Sequence, residues 1–248
     1  MMVLIDDDAI HLVTERSAIE KLAAAFDRLI IMEDVQVQNV SDEYAALGVI
    51  GPAAAQALET WLGEPLNLDR VYCHRRFPVG EVVRSELGFD VWIRRELLDG
   101  ALLAVSANGV TPIDRGTWDV LRTEAGQPVY GIDLDETTTL PELGDRGISY
   151  DKGCYIGQEV VARIKYIGHV NRKFVGLICE ELPEVPSTVT SGAREVGTVT
   201  TSVMSPGMGK AIALGFVGRA AASAGTEVEL VHGGKRISAT VSDLPFAV

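Results

Sequence analysis

Lys152-Gly153-Cys154-Tyr155-Ile156-Gly157-Gln158-Glu159-Val160-Val161-Ala162-Arg163 is the stretch on which the reading of this chain turns. It sets a thiol beside a cation, between two glycines, just ahead of a Gln-Glu pair and an Arg. A core strand has no use for that mixture. Gly153 and Gly157 permit positive φ or a close backbone approach. The run therefore reads as a backbone bent tightly around a reactive or ligand-facing sulfur. A cation such as Lys152 favours thiolate over thiol, and the thiolate is the nucleophile and the metal ligand. Gln158 offers donors and an acceptor, Glu159 accepts, and Arg163 presents a planar donor fork. The bland alternative is a glycine-bounded turn around a small buried Cys, the commonest fate of a free cysteine.

A second block lies upstream: Arg122-Thr123-Glu124-Ala125-Gly126, then Tyr130-Gly131-Ile132-Asp133, then Pro141-Glu142. Residues 114–125 read as a helix with Trp118 and Leu121 inward, ending at Gly126 and Pro128. That places Glu124 in the last turn, against the negative end of the helix dipole. An acid in an unfavourable place hints at a task; a frayed surface Glu is the bland alternative. A weaker third block is Ile31-Met32-Glu33-Asp34-Val35, followed by Gly51-Pro52.

Together the three blocks resemble the YgfZ-type folate-binding proteins of the glycine-cleavage T-protein (aminomethyltransferase) superfamily, over nearly the whole chain. The resemblance implies an α+β fold: a T-protein-like folate-binding region over 1–168, then a small C-terminal β-barrel over 169–248. It implies tetrahydrofolate, or a one-carbon derivative, as cofactor, bound in a channel where the domains meet. Glu124 matches the family's pterin-binding Glu, whose carboxylate accepts a ring N–H and the adjacent amine in parallel. Tyr130 would stack or hydrogen-bond nearby, Gln158 belongs to the same folate set, and Arg163 or Arg172 would hold the carboxylate tail. Cys154, with Lys152 beside it, would be the functional thiol at the rim.

The activity that the resemblance implies is support of iron–sulfur cluster assembly or repair in client enzymes, with tRNA modification reached only indirectly. The alternative is a tetrahydrofolate-dependent aminomethyltransferase. The chain is expected to lack the family's first segment. The family's catalytic Asp would lie in that segment, so it is assigned to no residue here. A thiol redox sensor is a distant third reading: Cys73 and Cys179 are available as partners, but no spacing supports pairing.

Composition agrees with these classes. A chain of 248 residues, 47% apolar, supports one large or two modest domains. No uninterrupted apolar stretch is long enough to cross a bilayer. The opening MMVLIDDDAI has no basic region followed by an apolar one. Three cysteines without a CxxC pair argue against a disulfide framework or a zinc site. They are also too few to hold an iron–sulfur cluster alone. A cytoplasmic protein is expected. A net charge of −13 repels nucleic acid, so no direct nucleic-acid partner is expected. The one local basic span is Arg163, Lys165, His169, Arg172 and Lys173, read as a solvated face or as an anchor for a ligand carboxylate.

The remaining pattern sets the order of elements. Residues 10–14 read as a strand, followed by a helix with a Ser17/Glu20 capping box and Ile19, Leu22, Ala23, Phe26 and Leu29 on one face. Val35, Val37 and Val40 suggest a strand, and 45–50 a buried one. Gly51-Pro52 opens a helix through Leu62, stopped by Gly63. Strands and loops are expected over 71–95. Lys173–Cys179, Val196–Val203, Ala211–Val217, Glu227–Val231 and Ile237–Val241 read as the short strands of a barrel.

Overall fold

The computed structural model describes residues 1–6, 9–145, 147–155 and 157–247. Ile156, inside the run quoted first above, lies outside the described residues. The chain divides into two units, Met1–Pro112 and Ile113–Val248.

The first unit opens with a two-stranded ribbon, β1 (Met2–Ile5) and β2 (Ile10–Val13), and helix α1 (Ile19–Asp27). It continues with β3 (Tyr44–Ile50), α2 (Ala54–Leu62), β4 (His74–Phe77), β5 (Gly80–Arg84), β6 (Gly88–Arg94) and α3 (Leu98–Ala107). Strands β3, β6, β5 and β4 form one antiparallel sheet in that order. In β6 the alternation is strict. Phe89, Val91 and Ile93 are buried, while Asp90, Trp92 and Arg94 turn to the other face. The buried set packs with Leu58 of α2 and with Ala101 and Val105 of α3. A side chain as fully buried as Leu58 or Ile93 contributes roughly 1.5–3 kcal/mol. Asp90 lacks that benefit, and burial raises its carboxyl above the ordinary value.

The second unit holds helices α4 (Arg115–Glu124) and α5 (Gln158–Tyr166), then six strands: β7 (Arg172–Cys179), β8 (Ser187–Ser191), β9 (Arg194–Ser205), β10 (Lys210–Gly218), β11 (Glu227–His232) and β12 (Lys235–Ser242). The strands close into an antiparallel barrel in the order β10, β7, β12, β11, β8, β9. Closure removes both sheet edges. Ala211, Ala213 and Val217 of β10 face the interior with Leu177, Val189, Val199, Leu230 and Val241. Its alternate residues Ile212, Leu214 and Phe216 are covered instead by Phe174, Leu244 and Phe246. Burial on both faces explains why β10 reads as an unbroken apolar run.

Several elements differ from the sequence reading. Ser17 caps nothing: a 3-10 turn at Arg16–Ala18 precedes α1, whose N-cap is Ala18 without a side-chain bond. The helix stops at Asp27 and leaves Leu29 exposed. No strand forms at Val35, Val37 and Val40; the alternation there is imperfect, and Val35 and Val37 lie exposed. Strand β8, Ser-Thr-Val-Thr-Ser, has no apolar alternation to mark it, because Val189 is its one apolar residue. Helix α4 packs on β9 within the second compact unit, Ile113–Val248. No helix among the described residues is long and apolar enough to cross a membrane.

Candidate functional site

Every member of the Arg122–Gly126 block has a structural partner. Asp114 caps α4 by accepting the Thr117 N–H at 2.7 Å. Eight residues on, Arg122 is buried and spends its guanidinium inward. Nη1 donates to Asp133 Oδ2 at 2.9 Å, Nε to Asp119 Oδ1 at 2.7 Å and Nη2 to Thr201 Oγ1 at 3.1 Å. Asp133 in turn accepts the Val129 N–H at 2.9 Å and the hydroxyls of Thr200 and Thr201 at 2.6 and 2.7 Å. The two side chains are 3% and 0% exposed, so this is a satisfied buried ion pair that ties the 122–133 segment to β9. Burial pushes the Asp119 carboxyl up, but the bonds from Arg122 and Arg115 outweigh it and the net shift is downward.

Glu124 is fixed from two sides. Its main-chain carbonyl accepts the Phe246 N–H at 2.9 Å. Its Oε1 accepts the Ser205 hydroxyl at 2.5 Å, and the Ser205 oxygen accepts the Met208 N–H at 3.0 Å. The donation from Ser205 offsets the unfavourable end of the dipole. Among the described residues the second carboxylate oxygen, Oε2, has no hydrogen-bond partner. Gly126 follows at φ +65°, and a Cβ there would come within 2.8 Å of Leu244. The tail at 244–246 thus clasps the end of α4. Nothing local in the sequence announces Ser205, Thr200 or Thr201 as partners of this block; only the fold brings them there.

The other candidates are spread over different elements. Tyr130 donates its hydroxyl to Glu136 Oε1 at 2.7 Å. Arg172, at the start of β7, makes a forked pair with Glu142 (3.1 and 3.3 Å) and lies 4.4 Å from the Phe216 ring centroid. Arg163 is exposed in the last turn of α5, where a cation suits the dipole. Gln158 turns back to accept the Tyr155 N–H at 3.0 Å, across Gly157 at φ +91°. That glycine begins α5 in a conformation other residues reach only with strain.

Cys154 is exposed, as a chemical thiol requires. The Lys152 ammonium lies 4.6 Å from the Tyr155 ring centroid, so its charge is engaged by that ring. Cys179 is the opposite case: burial at the end of β7 pushes its thiol up to about 12. Lys165 and the Tyr150 hydroxyl both reach Asp145, at 2.9 and 2.8 Å, joining the loop before the thiol to α5. The Lys165 bond is the main reason the Asp145 carboxyl sits below its ordinary value. Among the described residues no group of three or more His, Cys, Asp or Glu side chains could hold a metal. A recess of about 40 Å³ between Leu182, Glu184, Leu230 and Ile237 of the barrel is lined by none of the candidates.

The chain matches two domain families. The GCVT N-terminal domain matches residues 1–148, and the glycine cleavage T-protein C-terminal barrel domain matches residues 172–247. Among similar proteins is an aminomethyltransferase of Geobacillus thermodenitrificans, 33% identical over 233 residues, covering 86% of this chain and 63% of that protein. Another is an aminomethyltransferase of Bacillus pumilus, 32% identical over 232 residues, again with 86% of this chain and 63% of the relative. A third, from Caldanaerobacter subterraneus subsp. tengcongensis, is 30% identical over 228 residues, with 86% and 61% covered. The chain thus spans about three fifths of the length of these relatives. The crystal structure of glycine cleavage system aminomethyltransferase T from Bartonella henselae shares the fold, with a TM-score of 0.69 at 23% identity over 79% of this chain and 58% of that one.

Proposed function

The chain belongs to the glycine cleavage T-protein family, and from that premise we propose that it binds tetrahydrofolate, with Glu124 receiving the pterin. The observation that carries the reading is the way Glu124 is held. Its main chain is tied to Phe246 and its Oε1 to Ser205, while Oε2 keeps its acceptor capacity among the described residues. A carboxylate so fixed suits an edge that offers a ring N–H and an exocyclic amine side by side. Hydrogen bonds to a charged group are worth about 1.5–3 kcal/mol each. Tyr130, Gln158 and Arg163 are proposed for the remaining contacts. Arg163 suits the glutamate tail better than Arg172, whose guanidinium is already forked onto Glu142. A cytoplasmic setting, with Cys73, Cys154 and Cys179 left as free thiols, belongs to the same reading.

For the chemistry done with the folate, relatives named aminomethyltransferase support one-carbon transfer from an aminomethyl donor. Exposed Cys154 favours a second reading, in which a YgfZ-type accessory factor uses that thiol in service of iron–sulfur client enzymes. Calorimetric titration tests the shared premise. Saturable one-to-one binding of tetrahydrofolate by the wild type, lost in Glu124→Ala, supports it; no binding by the wild type overturns it. The two chemistries separate in a deletion strain. If Cys154→Ser fails to restore cluster-enzyme activity while purified protein releases no ammonia from an aminomethyl donor, the accessory reading holds. The reverse pattern leaves one-carbon transfer.

A further inference from the structure

We infer that Ser205 is a positioning residue for the ligand-binding carboxylate, an inference that rests on the reading of Glu124 given above. Ser205 ends β9 and is 1% exposed. Its oxygen accepts the Met208 N–H at 3.0 Å and lies 2.5 Å from Glu124 Oε1. An ionised carboxylate only accepts, so the single hydroxyl proton of Ser205 points at Oε1. The chain of bonds has one direction: Met208 N–H to Ser205, Ser205 O–H to Glu124.

Two consequences follow from that direction. The plane of the Glu124 carboxylate is fixed by a buried donor that is itself anchored to the backbone of the β9–β10 turn. The unclaimed acceptor sites of the carboxylate are thereby aimed one way, which is what parallel recognition of two adjacent N–H donors demands. Glu side chains lose up to about 2 kcal/mol of rotamer freedom when ordered. Ser205 takes that loss in the free protein, before any ligand arrives. The Arg122–Asp133 pair works further back, holding the end of α4 against β9, and touches no part of this relay.

The specificity implied is for a ring edge with two neighbouring donors, not one. Removing the Ser205 hydroxyl frees the carboxylate to rotate and blunts that preference. The test is calorimetric titration of wild type, Ser205→Ala, Ser205→Thr and Glu124→Ala with tetrahydrofolate and with its 2-desamino analogue, which lacks the exocyclic amine. Expected is an affinity loss of about tenfold for tetrahydrofolate in Ser205→Ala, a smaller loss for the analogue, and recovery of both in Ser205→Thr. A purely structural serine would weaken both ligands by the same factor. Equal losses, or wild-type affinity in Ser205→Ala alongside lost binding in Glu124→Ala, overturn the role of Ser205 and leave Glu124 standing. Wild-type affinity in Glu124→Ala removes the premise itself. If Ser205→Ala does not fold, Ser205→Cys carries the same test, since a thiol of similar size is a weak donor.

Discussion

Residues 122–126 are held inward, whereas Lys152, Gly153, Cys154, Gly157, Glu159 and Val160 lie exposed, although both segments belong to the barrel unit. In the first segment the charge of Arg122 is consumed by Asp119, Asp133 and Thr201, and Thr123 is fully buried with its hydroxyl on the Asp119 carbonyl at 2.6 Å. In the second, Lys152, Gly153 and Cys154 are exposed, and the bonds that shape the turn come from Gln158 and the Tyr155 backbone. Chemically rich residue types thus serve two ends. A buried cation with an acceptor on each of its three nitrogens is architecture, and it leaves one carboxylate, Glu124, set at its margin. An exposed thiol on a glycine-bounded turn contributes little to the core and is free to react.

The widest separation between the two kinds of environment should appear in thiol reactivity. Cys154 should react with a disulfide reagent at least about a thousandfold faster than Cys179 in the native protein at pH 8. At that pH a thiol with a pKa of about 12 is ionised only about one part in ten thousand, and Cys179 is also buried. Stopped-flow labelling of wild type and Cys154→Ser measures it. With Cys73 replaced by Ser in both proteins to remove the half-buried third thiol, a fast phase that survives in Cys154→Ser breaks the contrast.

Stability should respond next. Arg122→Met leaves Asp133 buried and unpaired, and should cost about 3–5 kcal/mol in denaturant unfolding. Arg122→Met with Asp133→Leu should recover a large part of that loss. Lys152→Ala, by contrast, should stay within about 0.5 kcal/mol. Comparable losses at 122 and 152 would mean that both segments are architectural.

The glycines sharpen the same contrast. Gly126→Ala meets both a left-handed backbone and the Leu244 side chain, and should cost about 2–3 kcal/mol. At Gly157 a Cβ meets nothing within 4 Å, so Gly157→Ala should carry only the backbone strain, about 1 kcal/mol.

The smallest effect is in pH dependence. Asp119 is held below its ordinary 3.8, so its contribution to stability is present above that value and is lost as pH falls through the lowered one. Asp119→Asn should therefore destabilise at pH 7, with the penalty fading as the pH is taken below the ordinary 3.8. Thermal unfolding across that range measures it, and a penalty independent of pH would assign Asp119 a packing role instead.

Much of this architecture is legible in the sequence. Barrel strands β7, β10 and β12 show because apolar side chains recur on the spacing that burial imposes, and α2 shows because Gly51-Pro52 and Gly63 bracket it. Strand β8 does not, since threonine and serine carry its alternation. The candidate site is half legible. Glu124 and Cys154 stand out by residue type and neighbours. The partners that define Glu124 do not, because Ser205 lies 81 positions away and Phe246 enters from the end of the chain. The inward turn of Arg122 depends likewise on Thr201, 79 positions on, which no local rule foresees.

The most direct measurement compares tetrahydrofolate affinity in Glu124→Gln and Cys154→Ser with that of the wild type, by equilibrium dialysis of the full chain. Replacing one carboxylate oxygen by an amide sets a donor against a donor, so Glu124→Gln should lose at least about tenfold, while Cys154→Ser should match the wild type. Unchanged affinity in Glu124→Gln, with a loss confined to Cys154→Ser, would contradict the assignment of ligand recognition to the inward segment.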